Sequence, residues 1–325
     1  VQAWLPWDTR SAVEGFLSHF QPRLGLLVET EVWPRLVIEC QARGVELVLA
    51  NARLSESSLR KALRLGFWAQ PAFGALTEVW AQTQADADRL AQLGVQRLST
   101  LGNLKFDVQA DPTQLQKGRD LRASLPAPVL LLASSREGEE LDWARALNDC
   151  PGPYLPCVVP RHPQRFDEVA SLMQSLGWQV LRRSAWPTDL AELALLCRQP
   201  RTLLLGDTLG EMPIYYAMAR VALMGGSFGR YGGQNLIEAL ACACPVILGP
   251  YTYNFEQASL DALAAQAAAR ASDLDQGVAM AVQSCAQLEV TQAMAERGVD
   301  FLKAHRGVAE RMALALRHKL TSIHR

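Results

Sequence analysis

Short apolar runs alternate with amphipathic segments along the whole chain. In the first 110 residues, five apolar runs have the length and composition of buried strands. The segments between them carry apolar positions at helical spacing. The predicted strands are 1–5, 24–28, 45–50, 79–82 and 98–101, and the predicted helices are 11–20, 33–43, 55–73 and 84–93. This alternation predicts a parallel sheet flanked by helices.

The same alternation restarts after a polar stretch, 107–112, that is typical of a linker. The predicted strands are 129–133, 155–159, 179–181, 203–205, 221–224 and 246–248. An alanine-rich helix is predicted at 263–272, and helix at 277–323 with a break near 304–307. We therefore predict an α/β protein with two Rossmann-like parallel-sheet domains, 1–110 and 111–303, facing a cleft where ligands bind. We expect the remaining helix, 304–325, to pack back toward the first domain.

Composition narrows the classes of function. The 325 residues are 49% hydrophobic, which is enough for two cores. The formal net charge of −1 gives no global field that attracts nucleic acid, so we expect no nucleic-acid partner. The seven cysteines have no CxxC spacing, which is typical of reduced thiols in a cytoplasmic protein. The sequence contains no run of 18 uncharged apolar residues and predicts no transmembrane span.

Polar residues follow several predicted strands of the second domain. Ser134 and Glu137 have capping-box spacing, as do Thr208 and Glu211. Arg136, Arg161 and His162 lie at such junctions, and Gly210 permits close approach of a ligand to the backbone. Taken singly, the junction at Arg136 is more typical of an ordinary helix cap with a surface arginine, while the junction at Arg161 and His162 slightly favours a site. Together, on one edge of one sheet, they indicate an anion site.

The segment 225–233 is rich in glycine, which suits a loop against which a phosphate and a sugar lie. Gln234, Asn235 and Glu238 follow and are predicted on the exposed first turn of a helix. A carboxylate can accept hydrogen bonds from both hydroxyls of a ribose. Glu238 is therefore the candidate ribose acceptor, although an acidic residue in a first turn is also normal capping.

Seven motifs in order along the chain carry a resemblance to a known family. They are ETEVWP (29–34), NARLS (51–55), GNLKFD (102–107), RHPQRF (161–166), GDTLGEM (206–212), GGQNLIEA (232–239) and LGPYTYNF (248–255). The chain resembles the 3-deoxy-D-manno-octulosonic acid (Kdo) transferases over nearly all of its length. The resemblance implies the two-domain GT-B fold and transfer of Kdo from CMP-Kdo to a lipid A precursor (lipid IVA) in lipopolysaccharide synthesis, with the nucleotide in the C-terminal domain.

The resemblance also implies roles for individual residues. It assigns Glu29 and Lys105 to transition-state stabilisation, because a lysine can counter the charge on a departing phosphate. Around CMP it puts Arg161, His162, Gly210, Glu211, Met212, Asn235, Leu236, Ile237 and Glu238, and the junction pattern adds Ser135, Arg136, Gly233 and Gln234. The implied reaction is inverting and metal-independent, with CMP-Kdo as donor and no cofactor, at the cytoplasmic face of the inner membrane.

Two features depart from the family pattern. Gln234 stands where the family usually has a histidine, and an amide cannot become a cation. The family's proton-accepting glutamate precedes sequence that resembles WLPWD (4–8), so we expect the general base, the first strands and any membrane anchor upstream of Val1. On this interpretation the N-terminal domain is incomplete, and we expect the 325-residue chain to bind CMP but transfer little Kdo, since loss of a general base costs about 10²- to 10⁴-fold in rate.

A mixture of basic and aromatic residues in the segment 55–73 suits a membrane surface or the phosphates of a lipid acceptor. The basic members are Arg60, Lys61 and Arg64, and the aromatic members are Phe67, Trp68 and Phe73. A solvated basic face above core aromatics is an equally good interpretation. Two other functions stay open at this point: a sugar-nucleotide epimerase of the same fold, and a non-catalytic nucleotide- or lipid-binding remnant.

Overall fold

The computed structural model describes residues 2–323, with the side chains of residues 2–321. The described residues form two compact units. We call residues 2–107 with 305–323 unit 1, and residues 108–304 unit 2. The chain thus passes between units after Asp107 and again after Ala304, against predicted boundaries after residues 110 and 303.

Unit 1 contains a parallel sheet whose described strands are paired in chain order. Its strands are β1 (Leu24–Val28), β2 (Glu46–Ala52), β3 (Glu78–Ala81) and β4 (Leu98–Thr100). The helices between and around them are α1 (Arg10–Phe20), α2 (Pro34–Ala42), α3 (Glu56–Arg64), α4 (Gly66–Gly74) and α5 (Gln84–Ala91). Leu49, Val79 and Leu90 are buried in its core. The predicted alternation of strands and helices is confirmed in this unit.

Two predictions for unit 1 are wrong. Residues 2–5 are not a strand, and Trp4 is 95% exposed; Val1 lies outside the described residues. The segment 55–73 forms two helices instead of one. Leu65 adopts φ −95° and ψ 24°, which ends α3, and Gly66, a weak helix former, begins α4.

Unit 2 contains a parallel sheet with the order β11-β10-β9-β5-β6-β8-β7. Its strands are β5 (Val129–Ser135), β6 (Leu155–Pro160), β7 (Gln179–Arg182), β8 (Thr202–Leu205), β9 (Ala219–Met224), β10 (Val246–Leu248) and β11 (Ala268–Arg270). Strands β6 to β8 lie on one side of β5 and strands β9 to β11 on the other. Because ligands of open parallel sheets bind where the strand order reverses, the carboxyl end of β5 is the expected site.

Nine helices lie within the described residues of unit 2, the last of them ending at its boundary. They are α6 (Pro112–Ser124), α7 (Glu139–Asp149), α8 (Phe166–Ser175), α9 (Leu190–Leu196), α10 (Met212–Met218), α11 (Leu236–Ala241), α12 (Glu256–Ala264), α13 (Leu274–Ala286) and α14 (Leu288–His305). The predicted helix at 263–272 is wrong, because the chain leaves the helical path at Gln266 (φ 52°) and pairs as β11 with β10. Strand pairing has overridden the helix propensity of alanine.

The last helix, α15 (Val308–Ile323), belongs to unit 1. Val308 and Met312 pack against Val48, Ala50 and Trp80 of the unit 1 sheet. The Asp107 carboxylate accepts hydrogen bonds from the backbone N–H groups of Gly307 (2.7 Å) and Ala309 (2.5 Å), so it caps the start of α15.

Candidate functional site

The carboxyl edge of the unit 2 sheet brings four strand ends together. β9, β5, β6 and β8 are successive neighbours, so the segments that follow them meet at this edge. The end of β5 and these segments contain the predicted residues Ser135, Arg136, Arg161, His162, Gly210, Glu211, Met212, Gly233, Gln234, Asn235, Leu236, Ile237 and Glu238. Parallel pairing is what collects side chains that lie up to about a hundred positions apart in the sequence.

Arg136 is at the centre of a cationic cluster. Its Nη1 lies 2.8 Å from Nε2 of His162, and its guanidinium lies 4.7 Å from the centre of the Tyr231 ring. Partial burial and the charges of Arg136, Arg161 and Arg165 lower the pKa of His162 from its ordinary value. The cluster therefore presents arginine cations beside a neutral imidazole, an arrangement that favours an anion such as phosphate.

The Gln234 side chain also lies beside Arg136, next to Gly226. Its Nε2 lies 3.2 Å from the position that a Cβ would take on Gly226, and the Arg136 side chain lies 3.3 Å from it. Gly226 has φ 70°, so glycine suits both the backbone and the crowding. The structure thus brings Arg136, His162 and Gln234 together.

Both capping-box predictions are wrong. β5 continues through Ser135, Ser134 adopts φ 55°, and α7 begins only at Glu139. The carboxylate of Glu139, instead of the hydroxyl of Ser134, accepts a hydrogen bond at this junction, from the backbone N–H of Arg136 (2.9 Å). The helix start was predicted too early because the serine pattern also fits a strand end.

The second junction differs in a similar way. α10 begins at Met212, and the Thr208 hydroxyl donates to the Glu211 carboxylate (2.6 Å) without capping a backbone N–H. Glu211 also pairs with Arg183 (2.9 Å) and, more distantly, with Lys117 (3.9 Å). Neither cation was predicted. They fix the Glu211 carboxylate beside Gly210, which has φ 75°.

The glycine loop, residues 225–233, is used differently from the prediction. Its backbone N–H groups at Gly226, Phe228 and Gly229 all donate to the Glu139 carboxylate, at 2.7–3.3 Å. The interpretation that these amides lie against a phosphate is therefore wrong for this part of the loop. The pKa of Glu139 is raised from its ordinary value, because burial raises it more than the hydrogen bonds from the loop and from Arg136 lower it.

Glu238 is exposed on α11, and its position is defined by Asn235. Asn235 caps the helix through Oδ1, which accepts from the backbone N–H of Ile237 (3.2 Å). Its Nδ2 donates to Oε1 of Glu238 (3.0 Å). α11 begins at Leu236, so the prediction that Gln234 and Asn235 lie in its first turn is wrong. Leu236 and Ile237 have buried side chains, so only their backbone can contact a ligand.

A second cluster lies at the carboxyl edge of the unit 1 sheet. The Glu29 carboxylate lies 3.3 Å from Nζ of Lys105 and 3.3 Å from Nε of Arg53. Glu29 has φ 59°, which is unusual for a residue other than glycine, and such strained residues often occur at functional sites. The structure thus brings together the two predicted residues and adds Arg53, which follows β2.

The loop that carries Lys105 is fixed by asparagine side chains. Oδ1 of Asn51 accepts from the backbone N–H of Leu104 (3.0 Å), and Oδ1 of Asn103 accepts from that of Lys105 (3.0 Å). Asn51 is buried and has φ 51°. These bonds explain why asparagine occurs in both NARLS and GNLKFD, and they orient Lys105 toward Glu29.

A cavity of about 980 Å³ is lined by residues of the glycine loop, of α7 and of the start of α13. Its lining includes the carboxylates of Glu137, Asp142, Asp273 and Asp275. This negative charge disfavours a phosphate, in contrast to the cationic cluster around Arg136. No group of three or more His, Cys, Asp and Glu residues within 2–323 is arranged to hold a metal ion.

Unit 1 also has an exposed aromatic surface. Phe67 and Trp68 of α4 are 83% and 64% exposed, and Arg60, Lys61 and Arg64 of α3 are exposed nearby in the sequence. Phe73 instead packs against the unit 1 core. In the described part of the chain, no helix is both long and apolar enough to cross a bilayer.

Comparisons with known proteins agree with the sequence motifs. Residues 1–108 match the family described as 3-deoxy-D-manno-octulosonic-acid transferase (kdotransferase). A 3-deoxy-D-manno-octulosonic acid transferase from Bordetella pertussis is 44% identical over 97% of this chain and 73% of its own length. The protein of the same name from Haemophilus influenzae is 30% identical over 95% of this chain and 72% of its own length.

Solved structures agree with the fold. The C-terminal CMP-Kdo binding domain of WaaA from Acinetobacter baumannii has a TM-score of 0.52 and 26% identity, covering 59% of this chain and 99% of that domain. HepE from Anabaena in complex with UDP has a TM-score of 0.57 over 96% of this chain and 82% of its own, but at 14% identity it shows the fold alone. The predicted α/β class with two parallel sheets of the GT-B type is confirmed.

Proposed function

The chain belongs to the 3-deoxy-D-manno-octulosonic acid transferase family, and from this premise we propose that it transfers Kdo from CMP-Kdo to a lipid A precursor, lipid IVA, in lipopolysaccharide synthesis. The observation that carries the proposal is the arginine cluster around Arg136 and His162 on the carboxyl edge of the unit 2 sheet, the edge that also carries Glu238. A nucleoside monophosphate needs a cationic site for its phosphate and an acceptor for its ribose.

The nucleotide part of the donor would bind at this edge. Arg136, Arg161 and Gln234 would contact the phosphate, and the exposed carboxylate of Glu238 would accept hydrogen bonds from the ribose. The Gly210–Met212 segment, whose backbone is exposed at Gly210, is proposed to contact the base. Two arrangements support this: Asn235 orients Glu238, and Arg183 orients Glu211.

The transfer step would be an inverting displacement. A hydroxyl oxygen of the acceptor forms a bond to the anomeric carbon of Kdo, the bond from that carbon to the phosphate oxygen breaks, and CMP leaves. The acceptor proton passes to a general base. Lys105 would stabilise negative charge that grows on the phosphate, while Glu29 holds Lys105 and Arg53 in place. We propose no metal and no cofactor.

Calorimetry with CMP tests the nucleotide assignment. We expect the purified 325-residue chain to bind CMP and to bind cytidine much more weakly, because cytidine lacks the phosphate that the arginines recognise. UMP and UDP-sugars serve as competitors that distinguish a cytidylate site from the site of a sugar-nucleotide epimerase. Absence of heat with CMP, or stronger binding of UDP-sugars, would refute the assignment.

The ionisation of His162 gives a second, independent measurement of CMP binding, by NMR. Its pKa is lowered in the free protein by partial burial and by three arginines. A bound phosphate offsets those positive charges, so NMR titration should show the pKa of His162 rising when CMP is added. Cytidine is the control and should leave it unchanged. A pKa that stays the same or falls with CMP would place the phosphate elsewhere.

We also propose that unit 1 contacts the cytoplasmic face of the inner membrane through α3 and α4. Exposed Phe67 and Trp68 can enter the interface, and Arg60, Lys61 and Arg64 can bind anionic headgroups. Replacing the three basic residues by glutamate should reduce sedimentation with anionic phosphatidylglycerol vesicles at least about 10-fold, since each cation contributes about 1 kcal/mol. Glutamate at Arg317 and Lys303 is the charge control. Unchanged binding of the triple variant would exclude this surface.

A further inference from the structure

Two adjacent glutamates at the start of α7 are buried, although a helix N-terminus usually presents acidic residues to solvent. Glu139 is 4% exposed and Glu140 is fully buried. Burying a carboxylate is costly unless each oxygen is well supplied with donors. Both carboxylates are well supplied with donors, Glu140 by side chains and Glu139 by backbone N–H groups.

Glu140 is fixed by side chains. Its carboxylate accepts hydrogen bonds from both terminal nitrogens of Arg165, at 2.7 and 3.1 Å, and from the hydroxyl of Ser135, at 2.7 Å. This pairing explains why Arg165 faces inward, while Arg136 and Arg161 remain to serve a ligand. Glu140 thus joins the end of β5 to the segment after β6.

Glu139 is fixed by backbone. Its two oxygens accept from Gly226 (2.7 and 2.9 Å), Gly229 (3.0 Å), Phe228 (3.3 Å) and Arg136 (2.9 Å). A loop that donates several successive N–H groups toward one point forms a concavity suited to an anion. Here the protein's own carboxylate fills that concavity from the α7 side.

The same loop leads directly to Gln234, one of the groups assigned to the donor phosphate. Gly233 is joined back to Gly226 by a hydrogen bond from its N–H to the Gly226 carbonyl (2.8 Å). Gln234 follows directly, and Tyr231 packs under the Arg136 guanidinium. The conformation at Gly226 therefore determines where Gln234, Tyr231 and Arg136 lie.

We infer that Glu139 is a positioning residue for nucleotide binding: its carboxylate holds the glycine loop in the conformation that presents Gln234 and Arg136 to the phosphate. Only an ionised carboxylate offers enough acceptor sites for five short contacts without bringing a donor against an N–H. Glu139 touches no substrate on this assignment. The inference rests on the proposed CMP site.

The substitution Glu139→Gln tests it with almost no change of volume. The glutamine keeps one acceptor oxygen, while its NH₂ group faces a backbone N–H, so the loop should loosen without unfolding the unit. We expect the Kd for CMP to rise about 10- to 100-fold, equivalent to one or two charge-assisted hydrogen bonds. In assays of Kdo transfer, KM for CMP-Kdo should rise while kcat changes little. Hydrogen exchange at residues 226–229 should accelerate.

Two controls separate positioning from general stability. Glu137→Gln makes the same charge change two residues away, on an exposed side chain. Thr202→Val removes two hydrogen bonds, to Leu196 and Gln199, at the opposite end of the sheet, and lowers stability without touching the loop. Both should keep the Kd of the wild-type protein.

The outcomes are distinguishable. Weaker CMP binding only in Glu139→Gln, with faster exchange in the loop, supports the inference. Equal CMP affinities of Glu139→Gln and Glu137→Gln overturn the inference and leave the proposed function standing. A loss of CMP affinity that Thr202→Val reproduces has the same meaning. Failure of the wild-type protein to bind CMP overturns the proposed function and the inference with it.

Discussion

Replacing Lys105 by alanine is expected to lower kcat for Kdo transfer by about 10²- to 10³-fold, with little change in the Kd for CMP. The size is that of losing one preorganised group that stabilises charge in a transition state. Nζ of Lys105 lies 3.3 Å from Glu29, and hydrogen bonds to Asn51 and Asn103 hold the backbone around Lys105, so its charge is preorganised within unit 1. Steady-state kinetics with CMP-Kdo and lipid IVA measure this fall in kcat.

Lys105→Arg is the matched comparison. It keeps the charge but not the shape, so a partial recovery of kcat identifies charge as the contribution of Lys105. Glu29→Gln should also lower kcat, because Lys105 and Arg53 lose the carboxylate between them. A Lys105→Ala protein with kcat within a factor of three of the wild type would remove this residue from the mechanism.

Replacing Glu238 by alanine is expected to raise the Kd for CMP by about 10- to 100-fold, equivalent to about 1.4 to 2.8 kcal/mol. The proposed cause is loss of the acceptor for two ribose hydroxyls. Because Glu238 is exposed and its one described partner is Asn235, the unit should keep its stability. Calorimetry with CMP and with 2′,3′-dideoxy-CMP measures the effect, and the dideoxy nucleotide should bind both proteins equally.

Glu289→Ala is the control for that measurement. Glu289 is an exposed glutamate in the first turn of α14 in the same unit, so its removal has the same effect on a helix dipole. If Glu238→Ala and Glu289→Ala bind CMP alike, Glu238 is only a helix-capping residue, the alternative that the sequence left open.

The sequence located ten of the eleven described strands, β1 to β10, because continuous apolar runs in parallel sheets give a strong local signal. It also predicted a strand at 1–5 that residues 2–5 do not form. It failed where long-range pairing decides local structure. β11 forms from an alanine-rich segment only because β10 is beside it, and Ser134 looks like a cap only while the extent of β5 is unknown. No local pattern contains either fact.

For the candidate site too, the sequence indicated some residues and missed those that only long-range pairing brings together. Motif resemblance located Glu29 and Lys105, but Arg53 becomes a neighbour of Glu29 only through the pairing of β1 with β2. Glu139 and Glu140 were missed because acidic residues at a helix start normally face solvent. Their burial depends on a glycine loop almost ninety positions later and on Arg165, which sequence spacing cannot reveal.

The return of α15 has a consequence for how the gene can be divided. Unit 2 is an uninterrupted stretch of chain inserted between two segments of unit 1. A fragment that stops at Asp107 would leave Val48, Ala50 and Trp80 without the helix that shields them, and Asp107 without the amides it caps. Unit 1 is thus encoded by two separate segments of the gene, so a ribosome must finish unit 2 before α15 can pack onto the unit 1 sheet.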